Sequence, residues 1–329
     1  MVGSYLILDL LRSGQKVRAL KRCDSDTGNI RKIFGYYSDT PDELFSRIEW
    51  VESDILDLHS IEDAVKGAQH VYHTAGIVSF DSSDADEIMQ VNVEGTANIV
   101  DASLSCNVKK ICFISSIAAL GISEQGEKIT ENTRWKYSKD ESAYSISKYY
   151  AELEVWRGVA CGLDSVIVNP SIILGAGNRS SGSYQLFSRI LNGFRYYTNG
   201  VTGFVDVRDV SMAMIRLMES EIRNEKYILS SEDKSFLEIF EMIASSLGKD
   251  RRKIYIHPVL TEIFWRIESI RSVLTGSNPV ITKSTAGSLH KKLYYSNSKV
   301  TERLGMEFIP VKDTIGHLAE LFRKERAID

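Results

Sequence analysis

Apolar and polar positions follow two periods along this chain, one typical of strands and one typical of helices. Short apolar runs predict five strands, at 16–21, 48–53, 70–75, 110–116 and 165–171. Longer patterns at helical spacing cover 4–13, 84–105 and 142–160. Because strands and helices alternate, we predict an α/β fold with a doubly wound parallel sheet covered by helices on both faces.

The pattern changes after Gly175, where a Gly/Ser-rich stretch is followed by shorter elements. We predict a first domain at 1–175, to which 203–230 returns with a strand, a helix and a strand, and a smaller lobe formed mainly by 176–329. That lobe contains a predicted helix at 236–247, and two more helices close the chain. In the first of these, one helical face carries Leu260, Ile263, Phe264, Ile267 and Leu274. This face either packs in the core or forms an apolar lid over a hydrophobic substrate.

Composition narrows the class of protein. The 329 residues are 43% hydrophobic and 26% charged, with 40 Lys+Arg against 44 Asp+Glu and a formal net charge of -4, which is typical of a globular protein and excludes disordered and fibrous classes. The chain has no basic block, so we expect neither a nucleic acid nor an anionic membrane as partner.

The cysteines and the apolar runs bear on compartment. Four single cysteines, Cys23, Cys106, Cys112 and Cys161, lack the close pairing of a zinc site, so we expect no metal and a reducing, cytoplasmic setting. No run reaches about 18 apolar residues, and the first residues lack a secretion pattern. We therefore expect a protein that is neither exported nor membrane-spanning.

Tyr144 and Lys148 are the strongest chemical signal, because a four-residue step places a phenol and an ammonium on one helix face. A nearby cation lowers the pKa of a tyrosine toward the range of an acid/base catalyst. Taken alone, this spacing also fits a solvated surface pair. Ser116 favours the catalytic interpretation, because it ends an apolar strand 28 residues upstream and the carboxyl ends of parallel strands face a common crevice.

Further motifs occur in a characteristic order. They are Asp54-Ile-Leu-Asp57, His73-Thr-Ala-Gly76, Val91-Asn-Val-Glu-Gly-Thr96, Ser115-Ser116, Tyr144-Ser-Ile-Ser-Lys148, Asn169-Pro-Ser171 and Phe204-Val-Asp-Val-Arg-Asp209. With these motifs the chain resembles the extended, epimerase/dehydratase-like branch of the short-chain dehydrogenase/reductase superfamily over nearly its whole length. The resemblance implies a Rossmann-type sheet in which 1–175 bind a dinucleotide and the smaller lobe binds a substrate.

The resemblance also implies roles for individual residues. Ser116 would orient a substrate carbonyl, Tyr144 would be the acid/base, and Lys148 would bind the nicotinamide ribose and lower the Tyr144 pKa. Asn92 would support the active-site helix. The implied cofactor-binding residues are Gly3, Lys21, Arg22, Asp54, Ile55, Thr74, Ala75, Gly76, Tyr144, Lys148, Pro170 and Ser171.

Structural alternatives exist for several of these positions. Asp54 also fits a helix cap, Gly76 a turn, and Asn92 a structural bridge. For the adjacent serines, side chains alternate along a strand, so only one of the two points into the site. The spacing to Gly121 in the resembled family favours Ser116 over Ser115.

The start of the chain departs from the family pattern. The family opens with a strand and a TGxxGxxG motif whose backbone N–H groups hold a pyrophosphate. Here Gly3 matches the last glycine, so the first strand and earlier glycines are absent. We expect unpaired edges on two neighbouring strands and a reduced phosphate cradle. One hypothesis is that Met1 is an internal methionine of a longer protein. The other is that the protein is a degenerate family member that no longer binds cofactor.

Cofactor preference is predicted from the end of the second family strand. NAD-selective members carry an acidic residue there, whereas this chain has Lys21-Arg22. Two cations suit a 2'-phosphate, so we predict NADPH as the cofactor, with NAD as the alternative. The alternative for the two residues themselves is a solvated basic pair with no role in binding.

The segments around the active-site motifs predict the reaction. Ile117-Ala118 replace the Asp-Glu of sugar-nucleotide dehydratases, and Ser115–Gly121 with Asn169–Gly175 look like the dihydroflavonol reductase and 3β-hydroxysteroid dehydrogenase group. We therefore predict an NADPH-dependent reductase of a ketone or aldehyde on a small hydrophobic substrate. The alternatives are a sugar-nucleotide epimerase that retains NAD and a non-catalytic dinucleotide-binding or interaction protein. A homodimer is a family-level expectation.

Overall fold

The computed structural model describes residues 1–123, 126–138, 141–178, 182–249, 253–275 and 283–328, with side chains for all of these except 267–275, 283–285 and 326–328. The strands are β1 (Val17–Lys21), β2 (Ile48–Glu52), β3 (His70–His73), β4 (Lys110–Ile114), β5 (Asp164–Pro170), β6 (Ile172–Leu174), β7 (Tyr196–Tyr197), β8 (Val201–Asp206), β9 (Glu225–Leu229), β10 (Glu232–Ser235) and β11 (Ile254–Tyr255). The helices are α1 (Val2–Arg12), α2 (Gly28–Tyr37), α3 (Pro41–Ser46), α4 (Leu58–Val65), α5 (Ala85–Met89), α6 (Gly95–Ser105), α7 (Ala143–Ala160), α8 (Gln185–Leu191), α9 (Val207–Glu219), α10 (Phe236–Ser246), α11 (Pro258–Thr275), α12 (Lys283–Ser288), α13 (Ser298–Leu304) and α14 (Val311–Ile328).

A four-stranded parallel sheet in the order β3-β4-β5-β9 forms the centre of the fold. All of β4 is buried, as is β5 apart from its first residue. Strands with helices on both faces read as continuous apolar runs, which is why 110–116 and 165–171 were recognisable as strands. Cys112 is a fully buried member of β4. The predicted doubly wound α/β fold is confirmed.

In the described part of the chain the first three strands do not form one sheet, and the expected unpaired edges lie on β1 and β3. β1 and β2 pair with each other in parallel, and they form a sheet separate from β3-β4-β5-β9. Within the described residues, β1 pairs only with β2 and β3 only with β4. Leu20 of β1 is 43% exposed, whereas β4 is wholly buried. The free edges of β1 and β3 therefore lack the ladder hydrogen bonds of an interior strand.

Helix α1 connects the two sheets. Its residues Tyr5, Leu6 and Leu10 belong to the core cluster that contains residues of β4, β5 and β9. Leu8 and Leu11 instead belong to a cluster that contains residues of β1, β2 and α2. Because one helix buries side chains in both clusters, it holds the β1-β2 pair in place beside the main sheet without strand pairing.

The helix predicted over 84–105 contains a π-helical turn. α5 and α6 flank the turn at Gln90–Glu94, and Asn92 lies within it. Such turns occur often at functional sites, because one extra residue per turn redirects a side chain. Here the redirected side chain is that of Asn92, which is almost fully buried.

The smaller lobe is built from short elements. β10-β8-β6 form a mixed sheet, and β11 pairs with β7. Of the two strands predicted at 203–230, β9 joins the main sheet, whereas β8 pairs with β6 and β10 instead. The apolar core of this lobe contains Phe187, Phe240 and Phe322 from α8, α10 and α14. Two closing helices were predicted after α10, but the described residues contain four, α11 to α14. That prediction was wrong because α12 and α13 are only one to two turns long and show little periodicity.

The predicted apolar face of α11 is open to solvent where its side chains are described. Leu260, Ile263 and Phe264 are all exposed, so core packing is wrong for these three residues. The side chains of Ile267 and Leu274 lie outside the described residues. The apolar lid stays a prediction. Among the described residues, no helix combines the length and apolarity that crossing a bilayer requires.

Candidate active site

Tyr144 and Ser116 meet where the main sheet ends and α7 begins. Ser142 caps α7, because its side chain accepts a hydrogen bond from Ser145 N at 3.0 Å, and this places Tyr144 in the first turn. Ser116 lies just beyond β4, and its hydroxyl lies close enough to the Tyr144 phenol to favour the ionised form of that phenol. Burial raises the pKa of Tyr144, and the nearby Ser116 hydroxyl opposes that rise. The predicted lowering of the Tyr144 pKa by Lys148 is therefore wrong, because burial dominates and Lys148 is not among the groups that shift this pKa.

Lys148 lies one turn further along α7 and is almost fully buried. Its Nζ donates to Ile114 O at 3.0 Å, at the end of β4, and lies 4.9 Å from the centre of the Phe113 ring. Burial lowers the pKa of Lys148 to about 8, and the Glu152 carboxylate opposes the change. Lys148 is therefore a desolvated cation whose charge is lost near the upper end of the neutral range.

Asn92 fixes the loop that borders this site. Its Oδ1 accepts from Ile77 N at 2.8 Å, and its Nδ2 donates to Ile77 O at 3.0 Å and to Ser147 Oγ at 3.0 Å. These bonds connect the loop after β3 to α7. The bridge considered for Asn92 is therefore present, and its support of an active-site helix stays a prediction.

The two adjacent serines point in different directions, as strand alternation predicts. Ser115 is buried and donates from Oγ to Glu152 Oε1 at 2.6 Å. Ser116 faces the crevice beside Tyr144, and its Oγ also accepts from Ala118 N at 3.1 Å. Ser115 is thus hydrogen-bonded to the buried Glu152, and the Ser116 hydroxyl is the one that faces the crevice.

Two glycines keep the crevice open beside these side chains. A Cβ on Gly3 would lie 2.9 Å from Thr74 Oγ1, so the start of α1 touches the end of β3 only because Gly3 has no side chain. A Cβ on Gly76 would lie 3.0 Å from Asn92 Oδ1 and 3.5 Å from Lys148 Nζ. Ala75 and Gly76 are exposed, which gives a ligand access to their backbone. These contacts fit a dinucleotide lying across α1, Gly76 and Lys148.

The predicted adenine side of the crevice follows β2. Asp54 is exposed, and its Oδ1 accepts from Leu56 N at 2.9 Å. It does not cap α4, because that role belongs to Asp57, whose side chain accepts from the N–H groups of the first turn. The alternative that Asp54 caps a helix is therefore wrong, because the cap of α4 lies three residues later in the chain. Ile55 packs closely against Gly95 of α6.

The two basic residues after β1 have different surroundings. Lys21 Nζ lies 2.9 Å from Glu52 Oε1 on the neighbouring strand, so its charge is already paired. Arg22 is 69% exposed at its side chain, with its Nε 3.9 Å from Asp24. The sequence predicts the same role for both residues, but of the two only Arg22 presents a solvated cation to a ligand.

Pro170 and Ser171 lie where β5 ends. Pro170 is the last residue of the strand and is buried. Ser171 donates from its backbone N–H to Leu229 O at 2.9 Å and from Oγ to the same oxygen at 3.2 Å. Ser171 is thus tied to β9, and its contact with a nicotinamide stays a prediction.

Sequence comparison decides the family to which this crevice belongs. A model of the NAD dependent epimerase/dehydratase family matches residues 1–229, which includes every site residue described above. The chain belongs to this family. As an extended short-chain dehydrogenase/reductase, it is an NAD(P)-dependent oxidoreductase, and the resemblance inferred from its motifs is confirmed.

Relatives of this family member include reductases. A putative dihydroflavonol 4-reductase of Synechocystis sp. is 27% identical over 329 residues, covering 98% of this chain and 92% of that protein. Cinnamoyl-CoA reductase 1 of Petunia hybrida is 25% identical over 326 residues, covering 95% and 86%. The crystal structure of gox2253 aligns with a TM-score of 0.82 at 27% identity, covering 99% of this chain and 96% of that one. UDP-glucose 4-epimerase of Thermotoga maritima aligns at 0.77 with 19% identity, covering 99% and 96%, and supports the fold alone.

Sequence reasoning about this family member missed two groups at the site. Glu152 is buried behind Lys148 and accepts from Ser115 and Asn169. Its signal was available, since Tyr144, Lys148 and Glu152 follow one another at four-residue steps. Phe80 lies edge-on to the Tyr144 ring, with centroids 5.6 Å apart. That contact had no local signal, because Phe80 lies in an irregular loop.

Proposed function

We propose that this protein is an NADPH-dependent reductase of ketones or aldehydes on small hydrophobic molecules. The observation that carries the proposal is the Ser116 hydroxyl beside the Tyr144 phenol, with the buried Lys148 one helical turn away on α7. These three groups can hold a carbonyl oxygen and give it a proton. The reductase names of the relatives in Synechocystis sp. and Petunia hybrida support the same class of reaction.

Each side chain has a distinct task in this mechanism. Ser116 Oγ donates a hydrogen bond to the carbonyl oxygen and orients it toward Tyr144. The Tyr144 phenol donates its proton to that oxygen as negative charge develops there. Lys148 would hold the nicotinamide ribose, and its ammonium would favour the phenolate that remains after proton transfer. Asn92 fixes the loop at Ile77. The nicotinamide cofactor, when bound, supplies the hydride.

The surroundings of Tyr144 favour an apolar substrate. Phe80 packs against the Tyr144 ring and is still 43% exposed. Val78, on the same loop, is 66% exposed. Exposed apolar side chains at a polar reaction centre provide a surface that binds an apolar body while the carbonyl reaches the hydroxyls.

The proposal predicts turnover with hydrophobic carbonyl compounds. NADPH should be oxidised, as followed by absorbance, in the presence of an aryl or extended alkyl aldehyde or ketone, and more slowly with a small hydrophilic one. A dinucleotide that copurifies tightly, together with interconversion of sugar nucleotides and no net NADPH oxidation, would instead support the epimerase alternative. Absence of dinucleotide binding would support the non-catalytic alternative, for which the unpaired edges of β1 and β3 are the structural argument.

Arg22 provides the test of cofactor choice. Arg22→Ala should weaken NADPH binding by about tenfold or more and leave NADH nearly unchanged, because a hydrogen bond to a charged group contributes about 1.5–3 kcal/mol. Lys21→Ala is the matched control. Since Glu52 already pairs Lys21, its loss should have a smaller effect. Calorimetric titration of both cofactors into the three proteins checks this, and equal weakening of NADPH and NADH by Arg22→Ala would contradict it.

A further inference from the structure

Glu152 is a buried carboxylate that gathers the polar groups behind the active site. It lies one turn beyond Lys148 on α7, and only 2% of its surface is exposed. Oε1 accepts from Ser115 Oγ at 2.6 Å and from Asn169 Nδ2, and Oε2 lies 3.5 Å from Lys226 Nζ. A buried carboxylate is costly unless donors compensate for lost water. Here three donors, from β9, the end of β5 and the end of β4, converge on it.

Two of these donors lead directly to Ser116. Ser115 is its neighbour in the chain, and Asn169 Nδ2 also donates to Ser116 O at 2.9 Å. Glu152 therefore fixes Ser115 and Asn169, and they in turn fix the backbone from which the Ser116 hydroxyl reaches Tyr144. Truncating the carboxylate would release all of these contacts together.

Glu152 also acts on Lys148 through its charge. Its carboxylate opposes the effect of burial, which lowers the pKa of Lys148. Among the described residues, His73 at the end of β3 also interacts with Lys148, and Tyr144 lies one turn earlier on α7. Burial and the nearby Lys148 lower the pKa of His73 to about 3, so His73 is neutral at pH 7. Lys226 on β9 is the cation that partly offsets Glu152.

We propose that Glu152 is a positioning residue for the reduction: it holds the Ser116 backbone through Ser115 and Asn169 and keeps Lys148 charged. This role rests on the function proposed above, because it presupposes that Ser116 and Lys148 take part in catalysis. Glu152 itself does not face the crevice and touches neither substrate nor cofactor.

The charge effect can be measured without substrate or cofactor. Glu152→Gln keeps the size of the side chain and removes its charge, and Glu154→Gln on the same helix is the control, because Glu154 pairs with Arg157 on the surface. The Lys148 resonance, assigned with Lys148→Met in protein carrying ¹³Cε-labelled lysine, is followed against pH by NMR. Its titration midpoint should fall by about one pH unit in Glu152→Gln and stay fixed in Glu154→Gln. An unchanged midpoint in Glu152→Gln overturns the proposal.

A second variant keeps the test decisive should Glu152→Gln fail to fold. Lys226→Gln removes the partly exposed cation that offsets Glu152, so the Lys148 midpoint should rise. A midpoint that stays fixed or falls overturns the proposal.

Kinetics then separate positioning from bulk stability. Glu152→Gln should lower kcat about tenfold at pH 8, and its rate should decline at lower pH than that of the unmodified enzyme, in parallel with the NMR midpoint. If the midpoint shifts although neither the unmodified protein nor any variant reduces a carbonyl substrate, the proposed reaction is wrong, while the coupling between Glu152 and Lys148 stands. A shifted midpoint with unchanged kcat and pH profile in an active enzyme overturns the positioning role.

Discussion

Replacing Tyr144 by phenylalanine is expected to lower kcat by about 10²–10⁴-fold and to leave the Kd of the cofactor nearly unchanged. The phenol is the only proton donor that the proposed mechanism places on the carbonyl oxygen. Its ring, by contrast, packs against Phe80, and phenylalanine preserves that contact. Steady-state rates with NADPH and calorimetric titration of the same samples measure the two effects separately.

Tyr150→Phe is the matched control for this experiment. It makes the same chemical change on the same helix, but Tyr150 is exposed, whereas Tyr144 is buried. Its kcat should equal that of the unmodified protein. The acid/base role of Tyr144 is refuted if Tyr144→Phe retains turnover, or if it loses turnover and cofactor affinity to the same extent.

Replacing Lys148 by methionine is expected to impair both steps. Methionine matches the length of the side chain but removes the ammonium, so kcat should fall by about 10²-fold or more, and cofactor Kd should rise by about tenfold or more. The unmodified enzyme should also lose rate as pH rises through about 8, because the Lys148 pKa is lowered by burial and the ammonium then loses its proton. Lys148→Met should show no such decline.

The fold should survive this substitution. Removing a desolvated charge offsets the loss of the donor to Ile114 O, so thermal unfolding should change little. A protein that melts far below the unmodified one would make Lys148 a structural residue, and a variant that retains tight cofactor binding would remove it from the cofactor site.

The central sheet and the reaction centre were predictable because they depend on local patterns. β4 and β5 are continuous apolar runs, and Tyr144 and Lys148 are fixed by helical spacing. Strand alternation correctly separated Ser115 from Ser116. The unpaired edges expected on two neighbouring strands are present on β1 and β3 among the described residues, whereas the separate β1-β2 sheet was not predicted.

Other features depend on contacts between distant segments. The pairing of Lys21 with Glu52 requires knowing the register of β1 against β2. The apolar face of α11 looks like core in the sequence, because helical periodicity shows that a face is apolar but not what covers it. Short helices such as α3 and α12 have too few turns to show a period.

Transfer of a label from the cofactor distinguishes carbonyl reduction from the alternative functions. The protein is incubated with NADPH carrying deuterium at the hydride position and with a hydrophobic aldehyde or ketone, and the alcohol is analysed by mass spectrometry. Each alcohol should carry one deuterium, one NADP⁺ should form per alcohol, and both products should be lost with Tyr144→Phe. An alcohol without deuterium, or a cofactor that keeps its label while a sugar nucleotide is interconverted, would contradict the proposed reduction.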